Sequence, residues 1–393
     1  MIIGTITYFK YDLGEVMIFR EKLFRYRKIY DLDGSEELFL AAMRESVEHH
    51  GSHCGFYKEL IQAKGYTQDQ LKRIEDIASI PAIPVDFFKT HEVRSINIDE
   101  IKIHATSSGT LGQKSQIFID KSTLKLGTRM IIKAMLYHKF VSIIPTNYLI
   151  LGYEPKAGNE MGNVKVLTGM TRLAPAKEKV FAIRPIGDTY HIDYFGVISA
   201  LKRYARQKLP VRIMGFPSYL YMMLTAMKEM KMKPLKLNKK SIVFTGGGWK
   251  KYNDMAIQKE ALHALVEEML GIPSENCRDF YSAVEHSVAY PECRYHHMHV
   301  PIWSRVLIRD VNTLKPLGFN QAGFLNFISP LVSSMPLSSV LMGDMAVLRD
   351  GNQCGCGITT PYFEVLGRAV TSSSKTCATS ASELLGGQNG TYI

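Results

Sequence analysis

Hydrophobic positions near the start of the chain fall at helical spacing, and further on they fall in short unbroken runs. Between Glu36 and His50, the residues Leu38, Phe39, Ala42, Met43 and Val47 recur near the 3.6-residue period. This predicts an amphipathic helix with Ser35 at its N-cap. Phe56–Ala63 predicts a second helix, stopped by Gly65. Ile80-Pro81-Ala82-Ile83-Pro84 forbids helix and reads as an extended linker. Tyr148–Leu151, Val211–Met214 and Ser241–Phe244 then predict buried strands. The second leads through Gly215-Phe216-Pro217-Ser218 into a helix over Tyr219–Met230, and the third runs into a triple glycine. A helix from about Met255 to Leu270 follows, ended by Gly271 with Pro273 beyond. Arg305–Arg309, Gly323–Ile328, Ser339–Met342, Met345–Leu348 and Tyr362–Leu366 read as strands. Alternation early and strands late predict an α/β body with an added β section. The Ser, Thr, Gly and Ala-rich stretch from Thr371 reads as a mobile tail.

Composition narrows the class. With 393 residues, 46% of them hydrophobic and 22% charged, the chain can bury a sizeable core. No apolar run reaches the roughly 18 residues that span a bilayer, so no integral membrane segment is expected. Met1–Val16 is broken by Lys10, Asp12 and Glu15, which makes it a poor secretory signal and a cytoplasmic location the default. The net charge of +11 gathers in two knots, Arg20 to Lys28 and Lys228 to Lys240. Without a zinc-finger, RNP or helix-turn-helix signature, these read as solvated faces or attractors of anionic substrates and partners, not as a nucleic-acid interface.

Two stretches carry candidate chemistry. Thr106-Ser107-Ser108-Gly109-Thr110-Leu111-Gly112-Gln113-Lys114 suits a polyphosphate: glycines let N–H groups converge, hydroxyls donate, and the ammonium neutralises charge. It is not a Walker A loop, whose spacing differs, and a polar surface loop is the plain alternative. The second stretch is Cys293, His296, His297 and His299, followed by Cys354-Gly355-Cys356-Gly357. Glycine spacers let two thiolates face one ion, and a distant Cys and His complete a tetrahedral zinc. His299 is the chosen histidine and His297 the fallback; four protein ligands would make such a site structural, and unpaired thiols in a turn are the alternative. Cys54 and Cys277 read as structural. His286 reads either as an orienting group for its neighbour Glu285 or as a core histidine. Trp249 and Tyr153 are candidates for lining an acyl pocket.

Thr106–Lys114 resembles the phosphate loop of adenylate-forming enzymes, with Leu111 where that family usually has threonine. Four further motifs follow in the family's order. Thr245-Gly246-Gly247-Gly248 is similar to the glycine turn that packs on adenine. Tyr281-Ser282-Ala283-Val284-Glu285 resembles the motif whose aromatic stacks on adenine and whose glutamate helps hold Mg2+. Gly343-Asp344 resembles the pair whose aspartate binds ribose, and Gly367-Arg368 the hinge pair that reaches the nucleotide. Within this superfamily, Phe87-Phe88-Lys89, Gly215-Phe216-Pro217, Phe244–Lys250 and His299-Val300-Pro301 resemble the acyl-protein synthetase (LuxE-like) branch.

The resemblance implies the large N-terminal domain of an adenylate-forming enzyme: stacked mixed sheets flanked by helices plus a β section, with the C-terminal lid domain largely missing. It implies residues 1–79 as a helical segment packed on the body, 80–367 as the adenylate-forming domain and 368–393 as a short flexible arm. It also implies ATP and Mg2+, a carboxylic (fatty) acid substrate and an acyl-accepting reductase partner. Lys114 and Glu285 would be catalytic, and Cys377 beside Lys375 would accept the acyl group as a thioester. Phenylacetate-CoA-ligase-like members share a similar Cys/His pattern, which implies structural Zn2+ on Cys293, His299, Cys354 and Cys356. An acyl- or aryl-CoA ligase with a reduced lid, and a non-catalytic basic binding protein with a vestigial loop, are the competing readings.

Overall fold

In the computed structural model the described residues are 17–106, 114–155, 162–186, 189–368 and 391–392. The early helical spacing folds as α1 (Ile18–Arg25), α2 (Glu36–His53) and α3 (Gly55–Ala63), whose apolar faces, Phe39 and Met43 among them, enter the main core. Ser35 sits at the N-cap of α2, yet its Oγ donates backwards to the Asp31 carbonyl oxygen at 2.7 Å and does not cap the helix. Gly65 closes α3 at φ +59°. The proline-rich linker is extended as expected and supplies β1 (Ile83–Pro84), which pairs with a strand met much later. After α4 (Phe87–Thr90) and β2 (Glu92–Val93), the hairpin β3 (Ile101–Thr106) and β4 (Gln116–Asp120) leads into α5 (Lys121–Tyr137). The Asp120 carboxylate accepts from the Ser122 and Thr123 N–H groups and caps α5.

The α/β body is one sheet with the order β11-β10-β9-β8-β5-β6-β7. Its members are β5 (Thr146–Tyr153), β6 (Ala176–Ile186), β7 (Thr189–Ile192), β8 (Val211–Gly215), β9 (Ile242–Gly246), β10 (Cys277–Ala283) and β11 (His286–Pro291). The inner pairs are parallel, and β7 and β11 are antiparallel edges. Both faces are covered, so the strands read as unbroken apolar runs. Leu149 and Leu151 of β5 pack under α7 (Tyr194–Gln207), α8 (Pro217–Glu229) and α9 (Lys259–Leu270), while Tyr148 and Ile150 point into the main core. Helix α6 (Gly162–Met170) crosses between β5 and β6. Helix α9 begins at Lys259, later than the sequence pattern indicates, because Lys250–Met255 forms a kinked 3-10 segment first. Gly271 ends α9 at φ +68°.

The late strands form a second sheet: β12 (Met298–His299), β13 (Arg305–Arg309), β14 (Pro316–Leu317), β15 (Ala322–Ile328), β16 (Ser339–Arg349) and β17 (Tyr362–Arg368), in the order β12-β17-β16-β15-β13-β14, with β1 parallel to β16. The stretches expected as two strands over 339–348 are one strand, continuous through Gly343-Asp344. Among the basic residues read as a solvated knot, Arg20 is buried: its guanidinium donates to the Leu331 carbonyl oxygen and the Thr123 hydroxyl. No helix among the described residues is long and apolar enough to cross a membrane.

Candidate active site and metal centre

In the body sheet, β6 and β8 lie on opposite sides of β5, so the chain's crossings change direction between β5 and β8. In open α/β sheets ligands bind at the carboxyl ends of strands beside such a switch point. Gly215 stands there at φ +148°, and a Cβ on it would lie 2.3 Å from the Leu151 carbonyl oxygen, so the close approach of β8 to β5 needs glycine. One strand further on, Gly247 and Gly248 take φ +79° and +64°, turning the chain over the end of β9. The neighbouring end of β10 carries Tyr281.

Tyr281 reaches across to the second sheet. Its phenol donates to Asp344 Oδ2 at 3.0 Å, and Arg368 Nε pairs with Asp344 Oδ1 at 3.1 Å. Asp344 and Arg368 are register partners of β16 and β17, which is how motifs distant in sequence meet. Burial and then the Asp344 charge hold the Tyr281 phenol well above its ordinary range, so it remains a donor. Glu285 is buried in the turn joining β10 to β11. Three expected nucleotide groups, Tyr281, Asp344 and Arg368, are thus brought into contact, with Gly246, Gly247 and Gly248 on the adjacent strand. Thr106 ends β3, paired with Gln116 of β4, and Lys114 is exposed two residues before β4 begins. Ser107, Ser108, Gly109, Thr110 and Gly112 lie outside the described residues, as do Cys377 and residues 371–390 of the tail, whereas Thr391 and Tyr392, expected in a mobile tail, pair in parallel with β2.

His286 is not an orienting group for the cleft. It is fully enclosed, stacks on Phe327 with centroids 4.2 Å apart, and its Nε2 shares a 2.7 Å hydrogen bond with the Tyr290 hydroxyl. Its pKa is pushed down to about 3 by burial, so it is a neutral core histidine. The carboxyl ends of β5, β8 and β9 beside the switch point carry paired aromatic rings, of which the sequence reading names only part. Tyr153 meets Tyr190 with centroids 5.0 Å apart, Tyr219 meets Tyr252 at 6.0 Å, and Trp249 meets Tyr221 at 5.7 Å. The missed signal was positional: aromatic residues follow the ends of β5, β8 and β9 in turn.

Cys293, His299, Cys354 and Cys356 come together with one donor atom each, all within 4.8 Å of one another. Cys293 Sγ lies 3.5 Å from Cys354 Sγ, and His299 Nε2 lies 3.3 Å from Cys356 Sγ. The first separation is far beyond a disulfide bond of about 2.05 Å. It is close to the edge of roughly 3.8 Å that tetrahedral Zn–S bonds of about 2.3 Å imply. His299 Nδ1 donates to the Thr360 carbonyl oxygen at 2.7 Å, which leaves the Nε2 lone pair facing the sulfurs. Burial lowers the His299 pKa to about 4, so the ring is neutral, as a ligand must be. The Tyr295 and Ile358 N–H groups donate to Cys293 and Cys356 Sγ, both at 3.4 Å. Gly355 and Gly357, at φ +73° and +93°, make the Cys-x-Cys turn. His297, the fallback, is outside the quartet but touches it, with Nδ1 3.1 Å from Cys354 Sγ and its ring stacked on Tyr362. These four donors can hold one metal ion.

Beside this cluster lies a buried charge network that the sequence pattern does not reveal. Glu292, enclosed next to Cys293, pairs with Lys259, approaches His296 and accepts the Asp279 N–H at 2.8 Å. Burial works against the Glu292 charge, but His296 and Lys259 outweigh it and hold its pKa below the usual value.

Comparison with known proteins places this arrangement. The chain is 23% identical to the long-chain-fatty-acid–luciferin-component ligase of Vibrio harveyi over 361 residues, covering 92% of this chain and 91% of that one. It is 24% identical to the ligase of the same name from Aliivibrio fischeri, covering 81% of this chain and 82% of that one. Among solved structures, 2-hydroxyisobutyryl-CoA ligase in complex with 2-HIB-AMP superposes with TM-score 0.62 at 17% identity, over 87% of this chain and 69% of that one, and so shares the fold. The LuxE acyl-protein synthetase family model matches residues 21–386. Cleft, fold and family match agree, and the chain belongs to the LuxE acyl-protein synthetase family, ligases built on the adenylate-forming fold.

Proposed function

We propose that this protein activates a long-chain fatty acid with ATP to the acyl-adenylate and passes the acyl group to Cys377 as a thioester, for handover to a reductase. The observation that carries the reading is the Tyr281–Asp344–Arg368 contact beside the Gly246–Gly248 turn, in a chain related over most of its length to long-chain fatty-acid ligases. A carboxylate oxygen of the acid attacks the α-phosphorus of ATP, and the bond to pyrophosphate breaks. The Cys377 thiolate then attacks the acyl carbon, and AMP leaves with the bonding electrons. Tyr281 offers adenine a stacking face, Asp344 offers the ribose hydroxyls an acceptor, and Lys114 with the Thr106–Thr110 hydroxyls neutralises the β- and γ-phosphates. Mg2+ held with Glu285 would offset charge on the phosphates. Zn2+ on Cys293, His299, Cys354 and Cys356 would be structural, since all four positions are filled by the protein. In this reading residues 1–79 are a helical segment on an adenylating body over 80–367, and 368–393 are the arm.

Exchange of labelled pyrophosphate into ATP, without CoA, across acids from short to long tests the first step. Exchange confined to long-chain acids is the expected result, and none with any acid would overturn the adenylation reading. Covalent labelling by radioactive acid tests the second step. Cys377→Ser should spare exchange and lose the label; a variant that keeps the label overturns the arm.

A further inference from the structure

The chemistry proposed for the cleft leaves one large feature of the surface unused. Helix α5 buries Thr123, Leu126, Met130 and Ala134 and turns the opposite face outward. On that outer face Leu124, Thr128, Ile132 and Leu136 follow at four-residue spacing with Ile131 beside them, forming one ridge. Ile132 is 51% exposed and Leu136 56%, and the loop that leaves α5 adds Ile143 at 92%. Helix α1 lies alongside, tied by Lys133 Nζ to the Phe24 and Tyr26 carbonyl oxygens and by Arg20 to Ser122 and Thr123, and it exposes Ile18 and Phe19.

The charge on the same two elements is lopsided. Residues 17–30 and 121–145 hold ten lysines and arginines and a single acid, Glu21, so nine of the chain's eleven net positive charges fall in these 39 residues. Glu21 lies between Arg25 at 2.8 Å and Lys125 at 3.6 Å, so it offers little repulsion. Seven of the ten cationic side chains are exposed. A contiguous exposed apolar ridge on a surface helix marks an interaction site. Branched aliphatics ringed by lysine suit the boundary between headgroups and acyl chains. A single-stranded nucleic acid would instead call for stacked aromatics along a groove.

We propose that the α1–α5 face docks this protein on the surface of an anionic lipid bilayer, with the aliphatic ridge entering the headgroup boundary and the lysines paired with lipid phosphates. The docking stands on this face alone. Its use, drawing long-chain acids from the phase into which they partition, rests on the fatty-acid reading above.

Flotation of the full-length protein with vesicles tests the docking. It should float with vesicles of phosphatidylcholine and phosphatidylglycerol and not with phosphatidylcholine alone, and salt should release it. Ile132→Glu/Leu136→Glu should bind at least roughly tenfold more weakly, with melting checked by circular dichroism. If that variant misfolds, Lys22→Gln/Lys121→Gln should show the same weakening from the charged side. Floating without pyrophosphate exchange would support docking while removing the ligase reading. No flotation, or flotation unchanged in both variants, overturns the proposal. So does a dimer that dissociates in Ile132→Glu/Leu136→Glu without any flotation, which would assign the face to a second copy.

Discussion

The Tyr281–Asp344–Arg368 cleft and the Cys/His cluster are both assembled where the second sheet meets the first, yet they are in opposite states. In the cleft the Asp344 carboxylate is already satisfied within the protein: Tyr281 and Arg368 both hold it, and the Arg368 side chain is 74% exposed. Such a site is complete by itself and can exchange those contacts for a ligand's at small cost, because exposed ion pairs contribute little. The cluster is complete only with something added. Burial pushes the Cys293 and Cys354 thiols up and keeps His299 neutral, so the four side chains bring no positive charge of their own to balance thiolates. One region is arranged for turnover and the other for permanence.

The largest effect should therefore come from the cluster. Purified protein should carry about one zinc per chain, and Cys354→Ser should lose it. Metal binding at structural sites is folding free energy, about 10 kcal/mol or more in small domains. Even a fraction of this should lower the melting temperature by roughly 5–10 °C in a chain of this size. A wild type that contains no zinc and melts with the variant would reduce the cluster to unpaired thiols.

The cleft should answer in the reverse manner, through rate and not stability. Lys114 is exposed two residues before β4 begins, so Lys114→Ala should leave melting unchanged. Losing a charge aimed at the phosphates should slow pyrophosphate exchange by roughly 10²–10³-fold, about 3–4 kcal/mol. A loss below tenfold would remove Lys114 from the chemistry.

The unequal legibility of the two regions has a physical cause. Strands buried on both faces announce themselves as apolar runs, which is why β5, β8 and β9 could be read with near-correct ends. Glycines at positive φ and cysteines spaced by one residue are local signals, so Gly246–Gly248, Cys354 and Cys356 stood out. Pairing is not local. Nothing near Asp344 shows that Arg368 will lie opposite it, and nothing in Lys259 points to Glu292, 33 positions away. His286 stays open between its two readings in the sequence for the same reason: its partner, Tyr290, and the Phe327 ring it stacks on decide for the core role.

A smaller change sharpens the comparison inside the cleft. Tyr281→Phe keeps the stacking face and removes the donor to Asp344. About 1 kcal/mol of orientation should be lost, read as a KM for ATP raised about fivefold with kcat little altered. An unchanged KM would show that Asp344 is positioned by Arg368 alone.

The last prediction concerns the strand that joins the two regions. β10 carries Tyr281 near its end, while Asp279, two residues earlier, donates its N–H to Glu292, the residue before Cys293. Burial first, and then the nearby Glu292 charge, push the Asp279 carboxyl up to about 7 from the usual 3.8. The native state therefore binds this proton more tightly than the unfolded chain. The stabilising contribution is full below about pH 4, is lost progressively as pH rises to about 7, and is constant above that. The ideal linkage is reduced because Asp279 is only half-buried and Lys259 offers a counter-charge, leaving an effect on the order of 1 kcal/mol. Urea unfolding at pH 5 and pH 8 reads it directly. The wild type should lose more stability between those values than Asp279→Asn, whose side chain cannot ionise. The difference of differences cancels the distant titrating groups and isolates Asp279 with the two charges coupled to it, Glu292 and Lys259. Identical pH dependence in the two proteins would mean that Asp279 is ionised throughout, held by Lys259 against Glu292, and that the charge network beside the cluster is balanced without a proton.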